Sequence, residues 1–123
     1  MNTNVKHNQS AEDYLESILL ISESSSVVHR IDVAKYLGVS QAAVNKAVKI
    51  LVDKGYVYEE GKHLYLTKSG EDYARAVFER HCVIREFLLS LGVSATTAEQ
   101  DACKMEHLLS EETLQMMKEK LKK

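Results

Sequence analysis

No proline occurs anywhere in the 123 residues. Proline removes a helix hydrogen bond and clashes with the preceding turn, so a chain without it can run helices uninterrupted. The punctuation falls to serine and glycine. Ser10 with Asp13 three residues on resembles a capping box, followed by an apolar stripe of Tyr14, Leu15, Ile18, Leu19 and Ile21. That predicts a helix from Ser10 to about Ser22, with residues 1–9 a polar, flexible arm. A short helix is expected over Ile31–Leu37, stopped by Gly38. Ser40 then caps a helix over Gln41–Lys54, stopped by Gly55.

Val57–Glu59 and Leu64–Leu66 flank Glu60-Gly61-Lys62-His63, the pattern of a small hairpin with glycine in its turn. A long helix follows from Lys68 or Ser69 to about Leu91, ended by Gly92. Ser94 opens another through Leu109, and Ser110 caps a last one over Glu111–Leu121. The expected fold is therefore mostly α. An N-terminal winged helix-turn-helix with a small β-hairpin wing (1–68) precedes an α-helical domain (69–123).

Hydrophobic content of 45% with 28% charged residues suits a folded soluble domain. The apolar runs are too short to cross a bilayer, and no export signal is visible. A cytoplasmic protein is expected. Its two cysteines, Cys82 and Cys103, do not make a disulfide framework and are free thiols or ligands. The formal net charge is −2, which does not favour a polyanionic partner. The charge is uneven, however. Residues 29–68 carry Arg30, Lys35, Lys46, Lys49, Lys54, Lys62 and Lys68 against Asp32, Asp53, Glu59 and Glu60.

The stretch Arg30–Lys49 has the helix-turn-helix pattern. Ala34 is small where two helices would cross, and Gly38 is the turn residue. The second helix buries Val44, Ala47, Val48 and Leu51. Its other face then presents Ser40, Gln41, Ala42, Asn45, Lys46 and Lys49. Ser40 and Lys49 suit phosphates; Gln41 and Asn45 can read base edges; Ala42 can touch a thymine methyl. Lys62 at the wing tip can meet the backbone. The competing reading is an ordinary helical hairpin with a solvated polar face.

Cys103, Glu106 and His107 stand at i, i+3 and i+4. On one helix they would leave one face as thiolate, carboxylate and imidazole, a transition-metal set. Asp13 and Glu16 repeat the i, i+3 spacing upstream, and His81 lies on a third helical stretch. Taken singly, each has a bland explanation: solvated acids, a packed histidine, a small core cysteine. Together with a DNA reader between them, they suggest a metal-sensing transcription factor.

The segments SAEDYLESI, LTKSGEDYA, ERHCVIREFLLSLGV and EQDACKMEHLLSEET, with the helix-turn-helix between them, resemble the diphtheria-toxin-repressor/manganese-transport-regulator family. The likeness runs from about Ser10 to Glu119 and is similar to the short, two-domain members that lack an SH3-like domain. The resemblance implies a homodimeric repressor of metal-uptake genes. Loaded with Mn(II) or Fe(II), it would bind double-stranded operator DNA. It implies no membrane and no small-molecule substrate. It puts one metal among Asp13, Cys103, Glu106 and His107, and a second beside it on Glu16 and His81, sharing Glu106. The sequence departs from both branches. Asp13 is similar to the manganese regulators and Cys103 to the iron regulators. Four residues after His81 the iron branch has a carboxylate where this chain has Arg85, a cation that would repel a metal. Glu99, one turn before Cys103, could substitute in part. Hard Asp13 suits Mn(II), and the Cys103 thiolate suits Fe(II), Co(II) or Zn(II). Mn(II) is slightly favoured, although Co(II) or Zn(II) can bind in vitro.

A dimer seam is expected from Val77, Val83, Ile84, Phe87, Leu88 and Leu91, because two small lobes have little core each. His7, His29 and His63 are expected to face solvent. Two other functions compete: a small metalloenzyme using the mixed site to activate water, and a metal-independent winged-helix regulator. No nucleophile, oxyanion donor or cleft is visible for the enzyme reading, so a non-enzyme is expected.

Overall fold

The computed structural model describes residues 3–122, with side chains from Ala11 onward. The element order is α1 (Thr3–Ser24), β1 (Val28–His29), α2 (Arg30–Leu37), α3 (Gln41–Asp53), β2 (Val57–Glu60), β3 (His63–Leu66), α4 (Lys68–Ser90), α5 (Ala95–Met105) and α6 (Glu111–Leu121). Two compact units divide within α4, Met1–Arg75 and Ala76–Lys123. Among the described residues no helix is long and apolar enough to cross a membrane.

In the first unit, helix α1 starts at Thr3 rather than near Ser10. The expected arm is therefore helical from Thr3, and the side chain of His7 lies outside the described ones. No glycine or proline stands in residues 3–10, and extending a formed helix costs far less than nucleating one. Ser10 becomes an interior position. Helices α1, α2 and α3 pack on one another. They share a core of Leu15, Ile18, Leu19, Val33, Val44, Val48 and Leu51, each at most 3% exposed. Burying a side chain of this kind contributes roughly 1.5–3 kcal/mol.

Turn chemistry sets the angles between these helices. Gly38 ends α2 at φ 69°, a left-handed conformation that favours glycine. Ser40 Oγ then accepts from the Ala43 N–H at 3.1 Å and opens α3. The wing hairpin pairs Val57 with Leu66 and Glu60 with His63, antiparallel. Strand β1 adds to its β3 edge, with Val28 opposite Leu64, in the order β1-β3-β2. The sequence pattern pointed to the hairpin but not to β1, because two residues carry no periodicity. Gly70 is needed for another reason. A Cβ there would lie 1.9 Å from the Tyr56 carbonyl oxygen.

The second unit contains the rest of α4 with α5 and α6. Ile84, Ala102 and Leu114 are its buried centre, with Val83, Leu88, Met105, Leu109 and Met117 packed against it. Ser94 and Ser110 cap α5 and α6 by accepting from Thr97 and Thr113 N–H groups. Helix α5 stops at Met105, not Leu109. There Leu108 and Leu109 N–H groups both donate to the Met105 carbonyl, which tightens the last turn. Of the expected seam, Val77 and Ile84 are 1% and 0% exposed within the chain itself. Ile84 belongs to the unit's own small core. Leu91, 65% exposed, remains on the surface with Leu108, Met116 and Leu121.

Candidate metal centre

His81 is the hub of the second unit's polar interior. It sits on α4, 5% exposed, with the Phe78 ring stacked near it at 6.3 Å. Its Nδ1 lies 2.8 Å from Glu106 Oε1, and its Nε2 lies 2.8 Å from Glu99 Oε2. An imidazole can donate on both sides only when protonated. The hydrogen bond to Glu106 accordingly raises the His81 pKa above its ordinary 6.5; burial opposes this and Glu99 reinforces it. Partial burial pushes Glu99 up, but His81 and Arg85 outweigh it and hold the carboxyl below its ordinary 4.5.

Glu106 is the C-cap of α5 and is 1% exposed. A carboxylate this deep is costly unless paired. Its pairs are two imidazoles: Oε1 faces His81, and Oε2 lies 3.4 Å from His107 Nε2. The His107 side chain is itself 2% exposed. Because α5 ends at Met105, Glu106 and His107 belong to a turn rather than to a continuing helical face. Cys103, still helical, is exposed, and its Sγ is 3.9 Å from Glu99 Oε2.

Ligand atoms of His81, Glu99 and Cys103 all lie within 4.8 Å of one another. No three-ligand group among the described residues joins Cys103 to Glu106 or His107. Sequence spacing brought Cys103, Glu106 and His107 to one face; the structure brings Glu106 and His107 together, and Cys103 to Glu99. Asp13 and Glu16, in the first unit, are half-buried on α1 beside the buried Tyr14 and Leu15.

Two imidazoles on a buried carboxylate fit a divalent transition ion in donor type. The protons that now hold these bonds are those a metal displaces. Glu99 is the residue that spacing rules undervalue. It pairs with His81 across two helices, and only its place one turn before Cys103 hints at this.

The nucleic-acid candidates occupy the first unit. Val44, Val48 and Leu51 of α3 are buried, whereas Gln41, Ala42, Asn45, Lys46 and Lys49 are exposed along its other face. Ser40 at the cap and Lys62 at the hairpin turn are also exposed. Arg30 holds the wing by donating to both oxygens of Glu59, at 2.6 and 2.8 Å. His29 and His63, expected in solvent, are partly covered and meet edge to face at 4.8 Å.

Comparison with known proteins now decides the family. The profile described as "Iron dependent repressor, N-terminal DNA binding domain" matches residues 7–64. The profile described as "Iron dependent repressor, metal binding and dimerisation domain" matches 67–123. The chain belongs to the iron-dependent repressor family of metal-dependent transcriptional regulators. An uncharacterized HTH-type transcriptional regulator of Methanocaldococcus jannaschii is 40% identical over 113 residues, covering 89% of this chain and 90% of the relative. The transcriptional regulator MntR of Escherichia coli O157:H7 is 40% identical over 104 residues, 84% of this chain and 67% of that one. Among solved structures, a manganese-dependent transcriptional repressor in complex with manganese superposes with TM-score 0.84 at 30% identity, covering 91% of this chain and 52% of that one. The manganese regulator SloR gives 0.81 at 28% identity, with 91% and 53% covered. The chain thus spans about half the length of these two solved structures.

Proposed function

We propose that this protein represses metal-uptake genes by binding operator DNA as a metal-loaded homodimer, with Mn(II) favoured over Fe(II) as its native ion. The observation that carries this reading is Glu106, a carboxylate 1% exposed between two imidazoles. The proposed ligands are Asp13, Glu16, His81, Cys103, Glu106 and His107. Asp13 and Glu16 enter on residue type, spacing and the family resemblance. When bound, the ion supplies compact positive charge and bonds that fix its donors in one arrangement.

The residues do the rest. Glu106 and His107, held rigidly by burial, keep the donors pre-arranged. Asp13 and Glu16 lie on the helix that enters the DNA-reading unit, so fixing them would restrict where that unit can sit. Ser40, Lys46, Lys49 and Lys62 would contact phosphates, while Gln41, Ala42 and Asn45 read base edges. Exposed Leu91, Leu108, Met116 and Leu121 offer the second unit apolar surface for a partner copy. Two copies would set their recognition helices about one DNA turn, roughly 34 Å, apart. Metal and DNA must then strengthen each other reciprocally, typically by about 1–3 kcal/mol. Asp13 favours Mn(II) over softer ions, although the rising Co(II)–Zn(II) affinity order lets those bind in vitro. A regulator of this kind works in the cytoplasm.

The test is fluorescence anisotropy on DNA from upstream of the protein's own gene, anaerobically and at fixed salt, with chelator, Mn(II) or Fe(II). Tight binding only with metal is the expected result. Equal binding with chelator would instead show a metal-independent regulator.

A further inference from the structure

We propose that Arg85 is the built-in cation of the His81–Glu99–Cys103 cluster and keeps a metal ion from settling on the outer nitrogen of His81. This rests on the metal-centre reading above and concerns α4 and α5 only. The cluster has the donors of a second site: imidazole, carboxylate and thiol atoms within 4.8 Å of one another. Glu99 is its shared element. One oxygen, Oε2, faces His81 Nε2 at 2.8 Å and Cys103 Sγ at 3.9 Å. The other, Oε1, lies 3.5 Å from Arg85 Nη1.

Arg85 stands one helical turn after His81, at i+4, so both side chains leave the same side of α4. Its guanidinium differs from every other positive group in the cluster. A proton on His81 can be shed when a metal arrives, whereas arginine stays charged at any accessible pH. An ion taken by Glu99 must therefore accept a permanent cation as neighbour or break the Arg85–Glu99 pair. Access does not bar the ion: the Glu99 and Arg85 side chains are 50% and 34% exposed. Charge does, so Arg85 sets how many ions a protomer can hold.

The test counts Co(II) per protomer by equilibrium dialysis. It compares wild type with Arg85→Ala, Arg85→Gln, Arg85→Lys and the double change Arg85→Ala, Glu99→Gln. Alanine and glutamine add no carboxylate, and glutamine also keeps the packing of the arginine stem should alanine unfold the helix pair. Either should gain one further Co(II) ion over wild type. Arg85→Lys, which keeps the charge, should gain none, and the added Glu99→Gln should remove the gained ion. Equal counts in wild type and both neutral variants would overturn the proposal. Wild type that takes no Co(II) would overturn the metal-centre reading separately, because the gain on neutralising Arg85 is scored against wild type whatever its own count.

Discussion

Replacing Glu106 with glutamine separates a structural ion pair from a metal ligand. The side chain is 1% exposed, with oxygens 2.8 Å from His81 Nδ1 and 3.4 Å from His107 Nε2. Glutamine keeps the volume and one carbonyl acceptor for His81 but loses the charge. A charge-assisted bond reduced to a neutral one costs about 1–3 kcal/mol. At about 4 °C per kcal/mol for a chain of this size, the metal-free variant should melt about 4–12 °C below wild type. The metal response should change more. At a free ion concentration of about 100 Kd, wild type gains about 2.7 kcal/mol, or about 10 °C. If Glu106→Gln weakens binding about a hundredfold, the same concentration adds only RT ln 2, about 0.4 kcal/mol or 2 °C. Scanning calorimetry with chelator and with Mn(II) measures both shifts. An equal metal-induced shift in variant and wild type would refute Glu106 as a ligand. An unchanged metal-free melting temperature would refute the buried pair as a source of stability.

Three other outcomes are expected. On α3, Asn45→Ala should lose about 1–3 kcal/mol of discrimination at one base pair, whereas Lys49→Ala should weaken all sequences and lower the salt slope by about one, both read by anisotropy. Gly70→Ala places a Cβ 1.9 Å from the Tyr56 carbonyl oxygen; it should lower stability by about 3 kcal/mol or more, and an unchanged urea midpoint would contradict the close approach. The metal-free protein should also respond to pH with a defined sign. His81 is raised by its Glu106 hydrogen bond, so its contribution is complete below 6.5 and fades as pH climbs through the raised value. Partial burial pushes Glu99 up, but His81 and Arg85 hold it below 4.5, so its contribution is complete above 4.5 and fades only as pH falls through that lowered value. Urea midpoints should therefore fall on the alkaline side, and His81→Gln should flatten that limb. Metal affinity should move oppositely, rising with pH as the competing His81 proton leaves.

Local chemistry alone determined the helix stops at Gly38 and Gly55, the caps at Ser40, Ser94 and Ser110, and the hairpin around Gly61. It also determined the split of α3 between buried Val44, Val48 and Leu51 and a polar face. Each depends on a few neighbouring residues and on backbone preferences that act within a turn. The candidate ligand types were legible for the same reason, since a thiol, an imidazole and carboxylates at helical spacing are rare by chance. Tertiary structure decided which of them meet. The early end of α5 placed Glu106 and His107 in a turn, and Cys103 Sγ lies 3.9 Å from Glu99. His81 found Glu99 and Glu106 because α4 packs on α5, a contact no window of sequence contains. Likewise, Ile84 and Leu91 look alike in the apolar pattern of the sequence, yet Ile84 is core and Leu91, just past the end of α4, is surface. Burial is settled by which helices pack together, and that is a property of the whole unit rather than of any segment in it.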